Sequence, residues 1–220
     1  MPESWAILFK FGKKHHLEKL RSDGLLYMNP IRNFADHEKS LSPSQTDKFE
    51  GVEEIVQPRD LKSLTVGTGV EQVVLGPESF VGPIRWSLGR TPAPNVYCMF
   101  ALSDPWKAPL VDSRNFDFGD SFIMFTHTDE FIGRVQAIAS ERHCDLQWSP
   151  VEYFDENEYS GKTGPFKKPS AFSYQNEFRF ALHPGSNEAV KLSVGDLTDI
   201  STKVFPLNQV NQLIKIESND

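Results

Sequence analysis

Gln175 and Glu177 stand two residues apart, and Glu177 opens an alternating run that ends at Leu182. In a β-strand this spacing places both side chains on the same face, with Arg179 next along that face. A carboxylate held at the entrance of a strand can stabilise the oxocarbenium-like transition state of glycosidic cleavage. Glu177 and Gln175 are therefore our candidate catalytic residues.

The segment before this run, residues 161–174, combines cations with aromatic rings. Lys167 and Lys168 are followed by Phe172 and Tyr174. Aromatic rings stack on nucleobases and cations contact phosphates, so this composition suits a loop that receives another molecule. We predict that these four residues bind the acceptor of a transfer reaction, either a protein side chain or a single-stranded nucleic acid.

A simpler interpretation competes with the catalytic one. A Glu and an Arg two apart on an exposed strand face usually form a solvated ion pair that contributes little to stability. Glu156 and Glu158 form a rival carboxylate pair with the same spacing. We favour Gln175 and Glu177 because they open a well-patterned strand, whereas the rival pair lies in a run of charge.

Two residues of apolar segments are secondary candidates. Lys10 follows the apolar run 5–9, where a lysine usually extends to solvent but can also reach a ribose or a phosphate from the floor of a cleft. Tyr97, inside the apolar run 95–102, either packs in the core or covers the planar ring of a ligand.

A polar group follows the second apolar run of the chain. It contains Asn29, Asp47, Glu50 and Gly51. Such side chains commonly organise loops through hydrogen bonds to the backbone. A metal site built from Asp47 and Glu50 is conceivable, although their spacing is not specific for a metal.

Several well-marked chemistries have no sequence support. The chain lacks a Gly-rich phosphate loop ending in Lys-Ser/Thr, a His-Glu-x-x-His motif, paired Cys-x-x-Cys motifs and a Gly-x-Ser-x-Gly elbow. The acidic-x-Lys pair of many metal-dependent nucleases is also missing. We therefore expect no bound metal.

Composition indicates an ordinary globular chain. Its 220 residues are 39% hydrophobic and 24% charged, and 17 of them are Phe, enough to build a core and line a pocket. The net charge of −7 argues against an extended nucleic-acid groove. Length favours one domain over residues 1–220.

The N-terminus shows no secretory signal, and no apolar run is long enough to cross a bilayer. Two cysteines, Cys98 and Cys144, are most simply two free thiols in a reducing compartment. We expect a cytoplasmic protein with no membrane contact.

The apolar patterns predict many short strands and few helices, hence an α+β domain of curved, mainly antiparallel sheets. Leu17 and Leu20 predict a short helix ended by Gly24, and Thr128 is expected to cap a second helix. Residues 35–60 are expected to form a long loop or an irregular helix, and residues 161–174 a loop. Residues 67–94 are expected to form a Gly/Pro-rich loop with a possible strand at Val73–Leu75. The predicted strands are 5–11, 25–28, 95–102, 121–126, 146–148, 151–154, 177–182, 190–194 and 203–205.

Both ends of the chain resemble an uncharacterised, defence-associated bacterial family. At the start the similar segments are Leu8-Phe9-Lys10-Phe11 and Leu25 to Pro30, followed by Phe34-Ala35-Asp36 and Phe49-Glu50-Gly51. Near the end they are Tyr174 to Phe180 and Val190 to Leu197. Residues 60–160 carry little of the resemblance.

That arrangement is in turn distantly similar to the ADP-ribosyltransferase superfamily, whose members carry Gln/Glu-x-Glu at the entrance of a late strand. The resemblance implies that NAD is the substrate and that Glu177 bonds the ribose on the nicotinamide side. It implies that Gln175 orients the acceptor from a target-recognition loop, residues 162–174, and that a Gln here accompanies acceptors other than arginine. Expected NAD-binding residues are Lys10, Tyr27, Asn29, Tyr97, Ser103 and Arg179, with Lys10 where the superfamily has Arg or His.

The first hypothesis is therefore an ADP-ribosyltransferase-like toxin or phage-defence effector that cleaves NAD, with an antitoxin or regulatory protein as a further partner. A second is a non-catalytic module that senses a nucleotide or a partner through the same cleft. A third, the weakest, is a metal-dependent nuclease that uses Asp36, Asp47 and Glu50.

Overall fold

A computed structural model describes residues 7–35, 46–87, 92–102 and 108–215 of the chain. Its architecture is mixed α/β, with mostly antiparallel strands and few short helices, as the patterns predict. The strands are β1 Leu8–Gly12, β2 Leu25–Pro30, β3 Glu54–Val56, β4 Leu64–Val66, β5 Val73–Leu75, β6 Ile84–Trp86, β7 Asn95–Ala101, β8 Ser121–Phe125, β9 Asp145–Pro150, β10 Glu152–Phe154, β11 Gly161–Lys162, β12 Lys167–Pro169, β13 Glu177–His183, β14 Val190–Ser193 and β15 Phe205–Pro206.

The first helix, α1, spans Lys14–Asp23 and buries Leu17 and Leu20. It ends at Gly24, which has a φ of +60° and donates its backbone N–H to the carbonyl of Leu20. A left-handed residue at this place closes the last turn, so the predicted helix end is confirmed.

The second helix, α2, spans Thr128–Glu141 and packs the predicted apolar face, including Phe131 and Val135, into the core. Thr128 is not its cap, however. It is already the first helical residue, and His127 before it makes no side-chain cap bond. A third helix, α3, spans Val210–Leu213.

An eight-stranded sheet organises the fold, and β7 is its branching strand. One edge of β7 pairs with β13, and β13 pairs in turn with β9. The other edge is shared: Phe100 pairs with Phe9 of β1, while Val96 pairs with Asn29 of β2. Because β1 and β2 use opposite ends of one edge, the sheet forks and leaves a gap beside the middle of β7. From β1 the sheet continues to β8 and β15, and from β2 to β14.

Apolar side chains are buried on both faces of this sheet. Leu8, Met99 and Phe180 belong to the larger core, which also receives the apolar faces of α1 and α2. Phe9 and Phe100 belong to a second, Phe-rich core on the other face. The many Phe residues therefore pack on both faces of the sheet and stabilise the arrangement in which β1 and β2 share one edge of β7.

Three segments predicted as loops contain regular structure. Residues 35–60 include β3, residues 67–94 include β6 besides the anticipated β5, and residues 161–174 include β11 and β12. These strands are two or three residues long and pair with distant partners, so no local alternation marks them.

The two cysteines are free thiols, as expected. Within the described ranges no helix is long and apolar enough to cross a bilayer.

Candidate functional site

Glu177 and Arg179 lie on the same face of β13, opposite Phe178 and Phe180, as the alternation predicts. The competing interpretation, a solvated ion pair on an exposed strand face, is wrong. Arg179 is 1% exposed and Glu177 is 8% exposed. Charged side chains are almost never buried to this extent unless they are paired, so each must have partners that the strand pattern does not reveal.

The partner of Arg179 is Glu50. The guanidinium donates from Nη1 to Glu50 Oε2 at 3.0 Å and from Nη2 to Glu50 Oε1, a two-bond pair. Nη1 also donates to the carbonyl of Pro165 at 2.8 Å, and Nε donates to Glu177 Oε2 at 2.6 Å. One fixed, planar cation thus joins the 46–50 segment, the 164–166 turn and β13.

Lys168 is the second buried cation, at 4% exposure. Its Nζ donates to Glu177 Oε1 at 2.6 Å and to Gln175 Oε1 at 2.7 Å, and lies 3.5 Å from Glu50 Oε1. The ring of Phe172 lies beneath it, with Nζ 4.8 Å from the ring centroid. The structure therefore places Lys168 among the buried carboxylates rather than on the loop surface.

The charges of these four residues stabilise one another. Burial alone would raise the pKa of Glu177, but Arg179 and Lys168 outweigh burial and lower that pKa to about 2. Burial likewise disfavours the charge on Arg179 and Lys168, yet the carboxylates of Glu177 and Glu50 raise the pKa of both. Glu177 is therefore an anion throughout the physiological pH range.

The gap in the sheet is filled in part by Lys10. Its Nζ donates to the backbone carbonyl of Cys98 at 2.5 Å, at the middle of β7 where neither β1 nor β2 pairs. The ring of Tyr97 lies 4.3 Å from the same Nζ, measured to its centroid. Burial lowers the pKa of Lys10, and the charge of Glu177 partly opposes this effect. Lys10 is therefore turned into the gap instead of extending to solvent.

This gap and the face of β13 form one cleft of about 220 Å³. Sites that enclose a whole drug-sized ligand usually measure roughly 300–1,000 Å³, so the cleft suits one part of a larger ligand. Eight residues predicted to act in catalysis, in NAD binding or in acceptor binding line it: Lys10, Tyr27, Asn29, Tyr97, Lys168, Gln175, Glu177 and Arg179. Their polar groups converge among the apolar walls of Phe11, Phe34, Phe100 and Phe118.

The rim next to Gln175 is held by the turn 113–118. Asn115 is 1% exposed and donates to the carbonyls of Tyr174 and Asp112, at 2.9 and 3.2 Å. The guanidinium carbon of Arg114 lies 3.9 Å from the centroid of the Tyr174 ring. This turn fixes the end of the 170–175 segment and thereby the place of Gln175.

The other predicted acceptor-binding residues lie outside the buried cluster. Lys167 pairs with Glu152 at 3.1 Å and with the hydroxyl of Tyr159 at 3.0 Å. Phe172 and Tyr174 are half-buried. Ser103, predicted to bind NAD, and Asp36, assigned to the nuclease hypothesis, lie outside the described residues.

Sequence reasoning missed the roles of Glu50 and Asn115 in this site. The sequence predicts loop organisation or a metal site for Glu50 and gives no role to Asn115. The only sequence sign for Glu50 is its place in the Phe49-Glu50-Gly51 segment of the family resemblance. Nothing in the local pattern around Asn115 distinguishes it.

A metal centre gains no support from the site. Glu50, one of the carboxylates assigned to the nuclease hypothesis, is engaged by Arg179 and Lys168. The described residues contain no group of three or more His, Cys, Asp or Glu side chains that could hold a metal ion.

Asp47 is a second buried carboxyl group near the cluster, at 2% exposure. Its Oδ1 accepts the backbone N–H of Phe49 at 2.9 Å, whereas its Oδ2 has no hydrogen-bond partner in the described part of the chain. Burial, with the nearby charge of Glu50, raises the pKa of Asp47 to about 6.

Comparison of the chain with protein-family models, curated proteins and solved structures finds no match. The resemblances described from the sequence therefore remain predictions, and the site has to be interpreted from its own chemistry.

Proposed function

We propose that the cleft beside β7 binds NAD and that Glu177 assists cleavage of the bond between nicotinamide and ribose, with transfer of ADP-ribose to a non-arginine acceptor. The acceptor is a protein side chain or a single-stranded nucleic acid. The observation that carries this proposal is a carboxylate at a strand entrance that two cations hold, facing a cleft that also contains a lysine and an aromatic ring.

Glu177 has the properties that a glycosidic cleavage requires of a stabilising carboxylate. Each of its oxygens accepts one hydrogen bond from a cation, and a carboxylate offers about four acceptor positions, so a ribose hydroxyl can still be received. Because its pKa is about 2, Glu177 stabilises developing positive charge and does not serve as a proton donor.

The charge of the cleft suits a phosphate-bearing ligand. Arg179 and Lys168 balance the two carboxylates of Glu50 and Glu177. Lys10, whose pKa is lowered by burial, places an ammonium group beside the gap when it is protonated. In that form it attracts the pyrophosphate of a dinucleotide.

A second candidate function is a nucleotide-sensing module without catalysis. Its support is that both oxygens of Glu177 are already bound by protein cations, an arrangement that a purely structural carboxylate also adopts. In that case Glu177→Gln would alter stability but leave ligand binding within about twofold, the range of a neutral change.

The binding step is tested by titrating the purified chain with NAD in a calorimeter. We expect saturable binding that Lys10→Met weakens by about tenfold or more, the effect of one charge-assisted contact. Lys203→Met is the matched control, because Lys203 is an exposed lysine that also lies over a ring, that of Phe205. Absence of saturable NAD binding by the folded wild type would contradict both the transferase and an NAD sensor.

A further inference from the structure

Lys168 fixes the orientation of the Gln175 side-chain amide through one hydrogen bond. An ammonium group has three N–H donors and no acceptor. The atom of Gln175 that lies 2.7 Å from Lys168 Nζ must therefore be the amide oxygen. The amide NH₂ group is consequently on the opposite side, where it lies 3.3 Å from the hydroxyl of Tyr174.

The same ammonium group fixes the carboxylate. Its bond to Glu177 Oε1 is 2.6 Å long, and Arg179 Nε holds the other oxygen at 2.6 Å. The two cations reach Glu177 from different elements, since Arg179 is on β13 itself and Lys168 is on β12. Together the two cations hold both carboxylate oxygens of Glu177.

We propose that Lys168 is a positioning residue that sets the orientation of both Gln175 and Glu177, an inference that rests on the function proposed above. Its ammonium group is directed at Glu177, Gln175 and Glu50 and is almost fully buried, so the proposal gives Lys168 no contact with NAD or the acceptor. With the amide oxygen of Gln175 held by Lys168, its NH₂ group is fixed on the side of the Tyr174 hydroxyl.

Two opposite effects of removing Lys168 can be separated by experiment. If Lys168 mainly positions Glu177, its loss disorders the carboxylate and slows the reaction. If it mainly masks the negative charge of Glu177, its loss exposes that charge and speeds the reaction. Positioning predicts a lower kcat with little change in KM for NAD, because Lys168 makes no contact in the ground state.

The first test follows the titration of Glu177 by NMR in protein labelled at the glutamate carboxyl carbons. Lys168→Met is expected to raise the pKa of Glu177 by about one unit or more, because one of the two neighbouring cations is gone. Lys168→Arg should restore most of the wild-type titration. Lys203→Met is the control, and Lys168→Gln, which keeps an uncharged NH₂ donor group, replaces Lys168→Met if that variant does not fold.

The second test measures nicotinamide release from NAD by the same variants. We expect Lys168→Met to lower kcat by about tenfold or more while KM for NAD stays within about twofold, with partial recovery in Lys168→Arg. A raised kcat, or an unchanged titration of Glu177, would overturn the role of Lys168. The titration needs no turnover, so a wild type that releases no nicotinamide overturns the proposed function separately.

Discussion

Arg179 and Glu50, 129 residues apart in the chain, form a two-bond ion pair in the interior of the protein. Through it the 46–50 segment is tied to β13 directly under the cleft. The adjoining bond from Arg179 to Glu177 makes this pair part of the support of the candidate catalytic carboxylate. The same buried charges therefore stabilise the fold and carry the proposed function.

Removing the buried cation Arg179 should strongly destabilise the protein. We expect Arg179→Met to lower the free energy of unfolding by about 3–5 kcal/mol, because Glu50 and Glu177 would be left buried without their main partner. Urea unfolding followed by circular dichroism measures the change. The control is Arg59→Met, since Arg59 pairs with Glu158 on the surface and should hardly matter. Equal losses of unfolding free energy in the two variants would show that the buried network stabilises the protein no more than a surface ion pair does.

Asp47→Asn should stabilise the protein at neutral pH. A carboxyl group whose pKa rises from 3.8 in the unfolded chain to about 6 favours folding while it is protonated, and this contribution is lost as pH rises through 6. Asn cannot ionise and still accepts the N–H of Phe49. We expect the substitution to raise the free energy of unfolding by about 1–3 kcal/mol near pH 7.5 and by less near pH 4.

The control for Asp47 is Asp155→Asn, because Asp155 accepts the N–H of Asn157 at 2.9 Å in the same local arrangement on the surface. Thermal unfolding of both variants across the pH range makes the comparison. An Asp47→Asn gain that is the same at every pH would contradict the account of this carboxyl group.

Glu177 gives the opposite pH dependence. The pKa of Glu177 falls from 4.5 in the unfolded chain to about 2 on folding. Its contribution to the free energy of unfolding is therefore fully present above pH 4.5 and is lost as the pH falls toward 2. We expect Glu177→Gln to unfold at a lower temperature than the wild type near neutral pH. The two melting temperatures should converge on acidification below about pH 4. A constant difference would mean that the carboxylate is not held by Lys168 and Arg179.

Gly24→Ala should damage the junction between α1 and β2. Gly24 has a φ of +60°, and a Cβ there would lie 2.0 Å from the backbone oxygen of Gly195. We expect a loss of about 2 kcal/mol or more from the strained backbone and this collision. Gly133→Ala is the matched control: it is exposed within α2, a Cβ there meets nothing within 4 Å, and Ala should stabilise the helix by about 0.5–1 kcal/mol. Chemical unfolding of both variants measures the two changes in the free energy of unfolding, which we expect to have opposite signs.

Local patterns predicted the elements that carry the site. The unbroken apolar run of β7 and the alternation of β13 depend only on neighbouring residues, so both strands were predicted to within a residue at each end. The side on which Glu177 and Arg179 lie follows from the same alternation. Their burial does not, because it depends on segments that cover that face.

The remainder of the site depends on contacts between distant parts of the chain. Nothing near Glu50 indicates Arg179 as its partner, and Lys168 looks like an exposed loop cation until β12 carries it under β13. The fork at β7 follows from strand order, which local periodicity does not encode. Sequence reasoning therefore identified the residues of the cleft better than the interactions among them.

The most direct test of the central claim is the rate of nicotinamide release from NAD by the purified protein, with cell lysate and with RNA as sources of acceptor. We expect measurable release by the wild type and a loss of about 100-fold or more in Glu177→Gln, the effect of removing one transition-state contact. Glu141→Gln, an exposed substitution at the end of α2, should match the wild type. Release that persists in folded Glu177→Gln, or none by a wild type that binds NAD, would contradict Glu177 as the catalytic carboxylate.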